Sequence, residues 1–438
     1  MAKAKQKEVK TPKIKKSLAT PRGMRDILPE EFLYYDYILK TARKLFEYYG
    51  YYRIETPILE KAELFIRTSG KESEVVHKEM YTLRTKDKGE VLALRPEGTA
   101  PVVRAYIENA LFNKPQPVKL YYFGPYFRHE KPQFGRYREF YQLGIEAIGD
   151  PDPALDTQVI FLTYLLLGQL GLDKKRIFFK LNSIGCKECR RSYIRELKKY
   201  YKKNYSKICS DCRRRLKTNP LRVLDCKKEQ CQEIKEGAPN ILDYLCEECK
   251  SHFKRLLENL DALNIPYILD KTVVRGLDYY TRTVFEVFLE GEKENLALGG
   301  GGRYDLLSKS LKGPDKPGVG VALGVERLIE TLKKNKIKLQ LPQPDVFLVQ
   351  MGDEAKRVGF QLLEKLRQEG IKIAENIGKN SLRAQLKNAD RLNTPFVLIL
   401  GQEEVLNGMI ILKDMRSGLQ ETFAIDKIIK VLKERLKK

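Results

Sequence analysis

The sequence lacks the features that mark membrane and exported proteins. No apolar run approaches the roughly 20 residues that a membrane-spanning helix needs. The first residues contain no apolar segment of the kind found in secretory signals. We therefore expect a cytoplasmic protein without a membrane segment.

Motifs of covalent or histidine-based catalysis are missing as well. The chain contains three histidines and no G-x-S-x-G nucleophile elbow. The glycine run at 299–302 is not followed by Gly-Lys-Ser/Thr, which excludes a P-loop. Gly318, Gly320 and Gly324 have a spacing one residue away from the dinucleotide-binding fingerprint, so the sequence supports a Rossmann site only weakly.

Positive charge is what the sequence has in excess. Lysine and arginine number 82 against 58 aspartates and glutamates, which gives a formal net charge of +24. This imbalance favours an anionic partner such as nucleic acid, and the alternative is a basic surface whose lysines are only solvated. A hydrophobic content of 42% excludes a disordered chain, and 438 residues are enough for two or three domains.

Residues 120–150 predict an antiparallel hairpin with one ligand-binding face. In the second half, side chains alternate between two faces with a period of two, so one face collects mostly polar or small residues. That set is Phe140, Gln142, Gly144 and Glu146. The first half also reads as a strand and ends at Arg128, and a polar loop at 129–138 separates the two. We expect a ligand cleft with Arg128 at its edge, although an ordinary half-solvated hairpin would also be polar on one face.

Three arginines are candidates for holding phosphate groups. Arg128 ends a predicted strand, Arg275 is followed by a glycine, and Arg327 begins a helix. The planar guanidinium fork suits a carboxylate or a phosphate. Each arginine alone is also compatible with a surface ion pair, but three in such places favour an anion site.

A helical insertion interrupts the main domain. Residues 186–263 are basic, rich in cysteine and helical in pattern, and they separate two strands predicted at 177–181 and 272–275. The main domain is therefore predicted to comprise residues 18–185 and 264–335.

The two ends of the chain differ from this main domain. Residues 1–17 are lysine-rich with little to bury, which predicts a disordered basic tail. Strands and helices alternate after a proline-rich linker near Pro342, so residues 343–438 are predicted to form a small α/β domain.

All the cysteines lie inside the insertion, in four pairs. They are Cys186, Cys189, Cys209, Cys212, Cys226, Cys231, Cys246 and Cys249. Such spacings are typical of structural zinc sites held by four thiolates, so we predict up to two Zn²⁺ ions. Three ways of combining the pairs into two sites stay open, and unligated thiols in a helical insertion are the alternative.

After the tail, the sequence resembles the histidyl-tRNA synthetases, a family of class II aminoacyl-tRNA synthetases. Residues 56–60, 127–146 and 318–328 resemble class II motifs 1, 2 and 3. Residues 275–286 and 298–305 are more specific, because they resemble the two histidine-specific signatures of the family.

The resemblance implies a fold and a reaction. The fold is an α+β catalytic domain on a mostly antiparallel sheet, with a mainly helical inserted domain and a C-terminal α/β domain that binds the anticodon. The implied enzyme is a histidine–tRNA ligase that uses ATP and Mg²⁺, joins L-histidine to tRNA(His) through a histidyl-adenylate, and releases AMP and pyrophosphate. Family membership also implies a homodimer, formed through motif 1.

The resemblance assigns roles at the ATP site and on the hairpin loop. Arg128 and Arg327 would hold the phosphates of ATP, and Phe140 would contact the nucleotide. Lys131 and Gln133 would face the tRNA acceptor end.

A second set of roles concerns the histidine substrate. The implied histidine-binding residues are Glu97, Thr99, Gln142, Glu146, Arg275, Tyr279 and Tyr280. Glu97, Thr99 and Gln142 would hold the α-ammonium group. Glu146 and Tyr280 would bind the imidazole, with Tyr279 lining the pocket, and Arg275 would place a fixed positive charge beside the carboxylate and the α-phosphate. The residues alone leave capping of a helix as the other role for Glu97 and Thr99.

Two parts of the chain depart from the family pattern: the basic tail and the full cysteine set. The zinc prediction therefore depends on cysteine spacing alone. A non-catalytic paralogue with this fold, the regulatory subunit of ATP phosphoribosyltransferase, is disfavoured because the three arginines and residues 343–438 are present. A zinc-stabilised RNA-binding protein without catalysis would leave the carboxylate–amide–tyrosine set unexplained.

Overall fold

The computed structural model describes residues 18–69, 75–85, 89–131, 136–291, 297–378 and 381–436. The chain divides into two compact units, Met1–Leu339 and Gln340–Lys438. The basic tail at 1–17 lies outside the described residues. Among the described helices, none combines the length and apolar character needed to cross a bilayer.

The strands of the described residues are numbered in chain order. They are β1 (Tyr52–Arg53), β2 (Leu59–Lys61), β3 (Thr82–Arg84), β4 (Val91–Leu94), β5 (Val118–Phe127), β6 (Glu139–Ile148), β7 (Ile177–Ser183), β8 (Tyr267–Leu269), β9 (Thr281–Leu289), β10 (Gly299–Arg303), β11 (Gly318–Gly324), β12 (Val346–Gln350), β13 (Ile373–Glu375), β14 (Phe396–Leu400), β15 (Met409–Asp414) and β16 (Gln420–Ala424).

The α-helices are numbered in the same way. They are α1 (Pro29–Tyr48), α2 (Ala62–Ser69), α3 (Thr99–Glu108), α4 (Pro153–Gln169), α5 (Lys187–Lys203), α6 (Ser210–Thr218), α7 (Gln232–Glu236), α8 (Glu247–Ala262), α9 (Leu307–Ser310), α10 (Val325–Lys334), α11 (Asp353–Gln368), α12 (Leu382–Arg391), α13 (Gln402–Leu406) and α14 (Ile428–Leu436). Shorter turns of helix lie at Val75–Glu79, Leu111–Asn113, Lys174–Arg176, Pro220–Val223, Glu229–Cys231 and Ile241–Tyr244.

An eight-stranded sheet forms the centre of the first unit. Its strand order is β1-β5-β6-β11-β10-β9-β7-β8. The two outermost pairings, β1 with β5 and β7 with β8, are parallel, and the five between them are antiparallel. The predicted mostly antiparallel sheet is confirmed.

Helices α1, α4 and α10 cover one face of this sheet. Helix α1 begins with a proline, which is tolerated where backbone N–H groups need no helical partner, and the chain turns beyond its end at Gly50, whose φ is +77°. The apolar stripe of α1 includes Ile38 and Phe46, both buried with Ile145 of β6 in one core cluster. Burial of this stripe leaves the opposite face of the sheet free to carry a site.

The hairpin predicted at 120–150 is confirmed as β5 and β6. The two strands pair antiparallel, with Gly124 opposite Gln142 and Tyr122 opposite Gly144. A side chain at Gly144 would meet the Tyr122 ring, because its Cβ would lie 2.3 Å from that ring. The glycine therefore makes room for an aromatic side chain across the hairpin.

The strand predicted at 272–275 is wrong. The strand that follows the insertion is β8, which pairs with β7 in parallel, and the chain leaves the sheet at Asp270, whose N–H donates to the Leu181 carbonyl. The Asp270 carboxylate then accepts from the backbone N–H and the hydroxyl of Thr272, at 2.9 and 2.6 Å. This local turn competes with strand hydrogen bonding, so the β-branched residues that follow form no strand.

Most of the insertion between β7 and β8 packs on the face of the sheet that α1 leaves free. Helices α5 to α7 contribute to one buried cluster that also contains residues of the sheet and its connections. Helix α8 instead buries Phe253, Leu256 and Leu260 in the core cluster of α1 and α4. Tyr193 and Leu197 of α5 share this cluster with Tyr279 and Tyr280. The insertion and the residues before β9 therefore have a common core.

The second unit is a small α/β structure. Its five strands have the order β13-β12-β14-β15-β16, and the first three are parallel to one another. β12 and β14 are fully buried and, apart from Gln350 at the end of β12, apolar, as expected for parallel strands covered on both faces. The sequence did not indicate the short helix α13.

Candidate functional site

A cavity lined by arginines opens on the face of the sheet opposite α1. Its volume is about 180 Å³. The charged and polar lining residues are Arg128, Glu130, Arg136, Gln142, Arg275, Glu286, Glu326 and Arg327. Backbone of β10 and β11 completes the wall, where Gly299, Gly300 and Gly324 leave space for a ligand. The structure thus brings the three predicted arginines together.

Arg128 is held at the end of β5 by two contacts. Its Nε donates to the Pro96 carbonyl at 2.9 Å. Its guanidinium lies 5.5 Å from the centroid of the Phe140 ring, within range of a cation–π interaction. Its Nη1 is 3.9 Å from Glu130 Oε1, so the nearest carboxylate only partly balances its charge.

Arg327 carries a poorly compensated positive charge. Its Nη1 donates to the carbonyl of Ala297 at 2.8 Å. Burial, and then the nearby cation of Arg136, lower the pKa of Arg327 to about 10. The side chain is still protonated at neutral pH, so the buried charge carries a desolvation cost and a repulsion from Arg136. An anion bound in the cavity would offset both.

Arg275, the first residue of the segment 275–286, lines the same cavity. Its Nη1 donates to Glu286 Oε1 at 2.6 Å, and its guanidinium is 6.0 Å from the Tyr280 ring centroid. A Cβ at Gly300 would lie 2.5 Å from that Nη1, so the absence of a side chain on β10 allows this placement.

Glu146 is buried beside the cavity among three hydroxyl groups. Its exposed fraction is 0%. Its Oε1 accepts from the Thr99 hydroxyl at 2.7 Å and from Tyr122 at 3.3 Å, and its Oε2 accepts from Tyr304 at 2.6 Å. Burial raises the pKa of Glu146 to about 8 despite these donors. The carboxyl group of Glu146 can therefore gain or lose a proton near neutral pH.

Glu97 has a structural role as well as a place in the site. Its carboxylate accepts from the backbone N–H groups of Thr99 and Ala100 at 2.7 and 3.0 Å, which caps α3. The Tyr279 hydroxyl also donates to it, at 3.3 Å. Burial is the main cause that raises the pKa of this carboxyl group. The capping role left open by the sequence is thus observed at Glu97.

Gln142 lies on β6 between the arginine cavity and Glu146. Its Oε1 is buried and has no hydrogen-bond partner among the described residues. An unpaired buried amide oxygen is costly, and a ligand ammonium or N–H group would satisfy it.

The predicted hairpin-loop residues are only partly covered by the structure. Lys131 is exposed at the beginning of the loop, and Gln133 lies outside the described residues.

The sequence prediction missed several residues of the site. They are Tyr122, Glu130, Arg136, Glu286, Tyr304 and Glu326. Tyr122 is in phase on the first hairpin strand, and Tyr304 directly follows the arginine after the glycine run, so a signal existed for both. Arg136 lies in a polar loop where sequence gives no direction for a side chain.

The cysteines form two clusters with a nested order. The outer cluster comprises Cys186, Cys189, Cys246 and Cys249. The inner cluster comprises Cys209, Cys212, Cys226 and Cys231. Within each cluster the sulfur atoms lie within 4.8 Å of one another.

The sulfur geometry fits a tetrahedral metal ion. A tetrahedral zinc with Zn–S bonds of about 2.3 Å places its sulfurs roughly 3.8 Å apart. In the outer cluster, the Sγ atom of Cys186 lies 3.5 Å from that of Cys189 and 4.0 Å from that of Cys246. In the inner cluster, the Sγ atoms of Cys209 and Cys226 are 3.8 Å apart. All eight cysteines are free thiols, so no disulfide competes for these sulfurs.

Comparison with known proteins extends over almost the whole chain. A family model described as histidyl-tRNA synthetase matches residues 23–328, and one described as an anticodon binding domain matches residues 345–435. The chain is 46% identical over 420 residues to the histidine–tRNA ligase of Natranaerobius thermophilus, covering 95% of this chain and 98% of that protein.

Solved structures give the same result. The apo histidyl-tRNA synthetase of S. aureus is similar with a TM-score of 0.77 and 38% identity, over 95% of this chain and all of that one. The histidyl-tRNA synthetase of Nostoc sp. is similar with a TM-score of 0.64 and 26% identity, over 96% of this chain and all of that one.

Proposed function

The chain belongs to the histidyl-tRNA synthetase family, and from that premise we propose how its own residues carry out the reaction of that family. The enzyme is a class II histidine–tRNA ligase that joins L-histidine to its cognate tRNA through a histidyl-adenylate, at the expense of ATP. The observation that carries the proposal is an arginine cavity that adjoins a buried carboxylate cluster on one sheet face.

The first step is adenylation. An oxygen of the histidine carboxylate attacks the α-phosphorus of ATP, and the bond from this phosphorus to the bridging oxygen breaks, so pyrophosphate leaves. Arg128 and Arg327 hold the phosphates, and Mg²⁺ bound with ATP offsets further phosphate charge. Arg275 lies beside the reacting carboxylate and stabilises the charge that develops at phosphorus. The poorly compensated charge of Arg327 supports this assignment.

The residues around Glu146, next to the arginine cavity, bind the histidine substrate. Glu146 and Tyr280 bind the imidazole, and Tyr279 lines the pocket. Glu97, Thr99 and Gln142 hold the α-ammonium group, and the unpaired Oε1 of Gln142 supports this role. A site built from such polar groups rejects an isosteric apolar side chain, which would leave them unsatisfied.

In the second step a hydroxyl of the terminal tRNA ribose attacks the acyl carbon of the adenylate, and AMP leaves. We assign acceptor-end contacts to Lys131 and Gln133, and anticodon binding to residues 343–438. The match of residues 345–435 to an anticodon binding domain supports the second assignment. The net charge of +24 suits an anionic partner of this size.

Histidine-dependent exchange between ATP and pyrophosphate tests the first step directly. We expect exchange in the presence of Mg²⁺ and histidine without any tRNA. Omission of histidine is the control for background exchange. A purified, folded protein that shows no exchange above that background would exclude the assigned chemistry.

We propose that each cysteine cluster binds one structural Zn²⁺. Four thiolates leave no open position, so such an ion holds the insertion together and takes no part in the reaction. The sulfur spacing and the absence of disulfides support this proposal.

We further propose a cytoplasmic homodimer. Apolar side chains of the segment that resembles motif 1 are exposed in the single chain, among them Ile58 and Leu59 at 44% each. Sedimentation should give the mass of a dimer, and a monomer at micromolar concentration would contradict this assignment. The cytoplasmic location follows from the use of charged tRNA by ribosomes.

A further inference from the structure

The segment between β8 and β9 carries three assigned site residues but has no helix or strand of its own. Residues 273–280 form only turns and extended chain, and they include Arg275, Tyr279 and Tyr280. Regular hydrogen bonding therefore cannot fix these side chains. Their positions must depend on contacts with neighbouring parts of the fold.

The insertion supplies those contacts at the end of the segment. Nη1 of Arg190, on α5, donates to the Tyr280 carbonyl at 3.1 Å. The Arg282 N–H donates to the Gly185 carbonyl at 3.0 Å, and the Arg282 guanidinium is paired with Glu248. Arg190 and Gly185 thus hold the main chain on either side of Thr281, and Glu248 holds the Arg282 side chain.

Each of these contacts is next to a ligand of the outer cysteine cluster. Gly185 precedes Cys186, Arg190 follows Cys189, and Glu248 lies between Cys246 and Cys249. A metal held by these sulfurs would fix the positions of the three contacting residues relative to one another.

The environment of Arg190 favours one orientation of its guanidinium. The side chain is half-buried on α5, which restricts the orientations open to its guanidinium. Its hydrogen bond to the Tyr280 carbonyl is charge-assisted and therefore stronger than one between neutral groups. Tyr193, one turn further along α5, is buried in the same core cluster as Tyr279 and Tyr280.

We propose that Arg190 is a positioning residue for histidine binding, which couples the outer cysteine cluster to Tyr279 and Tyr280. The insertion then acts in the first, tRNA-independent step of the reaction. This inference rests on the proposed function, because it requires both histidine activation and metal in the outer cluster.

Variants at Arg190 test the coupling in pyrophosphate exchange without tRNA. In Arg190→Ala we expect the KM for histidine to rise about tenfold, which is the loss of one charge-assisted hydrogen bond, while the KM for ATP changes less than about twofold. Arg190→Lys should recover most of the affinity. Arg195→Ala is the matched control, because Arg195 is exposed on the same helix.

Two further measurements do not depend on activity. Calorimetric titration with histidine alone should show the same loss of affinity in Arg190→Ala. Hydrogen exchange should become faster at residues 276–284 and stay unchanged in the second unit. Metal-free wild-type protein should reproduce both changes.

The outcomes separate the two proposals. A wild-type enzyme without histidine-dependent exchange would overturn the proposed function itself. An active wild type with an unchanged histidine KM in a folded Arg190→Ala variant would overturn only the positioning role, as would equal losses for histidine and ATP. Metal-free protein with wild-type histidine affinity would overturn the coupling to the outer cluster.

Discussion

Glu146 shows how one buried group can serve both recognition and pH response. Three hydroxyl groups donate to its carboxylate, yet full burial outweighs them and raises its pKa to about 8. Near neutral pH the side chain can act as an acceptor or, once protonated, as a donor. An imidazole ring needs both kinds of partner, because one ring nitrogen donates and the other accepts.

The raised pKa of Glu146 makes the stability of the protein without substrate dependent on pH. Below about pH 4.5 the carboxyl group is neutral in both the folded and the unfolded chain, so its burial does not reduce the free energy of unfolding through ionisation. As pH rises towards 8 the unfolded chain loses this proton more readily than the folded one, so stability falls by up to roughly 1.4 kcal/mol per pH unit.

Replacement of Glu146 by glutamine should remove this dependence. Denaturant unfolding between pH 5 and pH 8 should give a flatter profile for Glu146→Gln than for the wild type. Glu30→Gln is the control, since Glu30 is exposed on α1. Parallel profiles for Glu146→Gln and the wild type would mean that the carboxyl group is ionised in the folded protein throughout this range.

At the scale of strands, glycines on β10 and β11 set the depth of the site. A Cβ at Gly320 would lie 1.7 Å from Glu146 Oε2, and a Cβ at Gly301 would lie 2.0 Å from the Gly320 carbonyl. Neither position has room for a methyl group. The missing side chain at Gly320, which pairs with Glu146 across β11 and β6, leaves the space that the Glu146 carboxylate occupies.

Gly320→Ala should therefore damage the site more than the fold. We expect overpacking to cost about 1–3 kcal/mol of stability and to move Glu146, which should raise the histidine KM more than the ATP KM. Thermal unfolding and pyrophosphate exchange measure the two effects. Gly378→Ala is the control, because its nearest atom would be 3.9 Å away; equal effects in both variants would contradict this prediction.

Elements with a strong local pattern could be predicted from sequence, and those fixed by tertiary contacts could not. The period of two placed Gln142 and Glu146 on one face of β6, and the structure confirms that strand. The β-branched run at 272–275 predicted a strand, but the turn at Asp270 ends it. Asp270 and Thr272 carried a local signal for this turn, but sequence alone did not show that the turn would outweigh the β-branched pattern.

Sequence also predicted the site and the cysteine clusters only in part. Arg128, Arg275 and Arg327 could be found from their neighbours in sequence, whereas Arg136 enters the cavity from a loop. Cysteine spacing identified four pairs but left their combination open. The combination depends on how α5 to α8 fold back on one another, because the first and last pairs meet only in three dimensions.

Metal content can test the nested combination. The wild type should retain about two Zn²⁺ per chain, since each closed four-thiolate site binds one ion. Cys186→Ser and Cys246→Ser should each retain about one and should not be additive, because they belong to one site. Cys186→Ser combined with Cys226→Ser should retain none. Elemental analysis after dialysis measures this, and additive losses in the first pair would contradict the nesting.

At the scale of the whole molecule, we expect the two units to contribute to different steps of the reaction. The first unit, to Leu339, contains every described residue of the arginine cavity and the carboxylate cluster. The second matches an anticodon binding domain and has its own buried core. Adenylation should therefore need only the first unit, whereas tRNA charging should need both.

A protein truncated after Leu339 should keep pyrophosphate exchange within about tenfold of the full chain and lose at least about 100-fold in tRNA charging, because phosphate and anticodon contacts are lost together. The full-length protein is the reference for both assays. A folded truncated protein that charges tRNA as well as the full chain would contradict this division.

The nested cysteines also impose an order on the maturation of the insertion. The inner cluster joins sulfurs 17 residues apart, Cys209 and Cys226, whereas the outer cluster joins Cys186 and Cys246, which are 60 residues apart. Closing a shorter loop costs less chain entropy, and closing the inner loop first shortens the path that the outer loop must span. The insertion is therefore expected to mature from the inside outwards, with the inner ion loaded first and the contact with Tyr280 formed last.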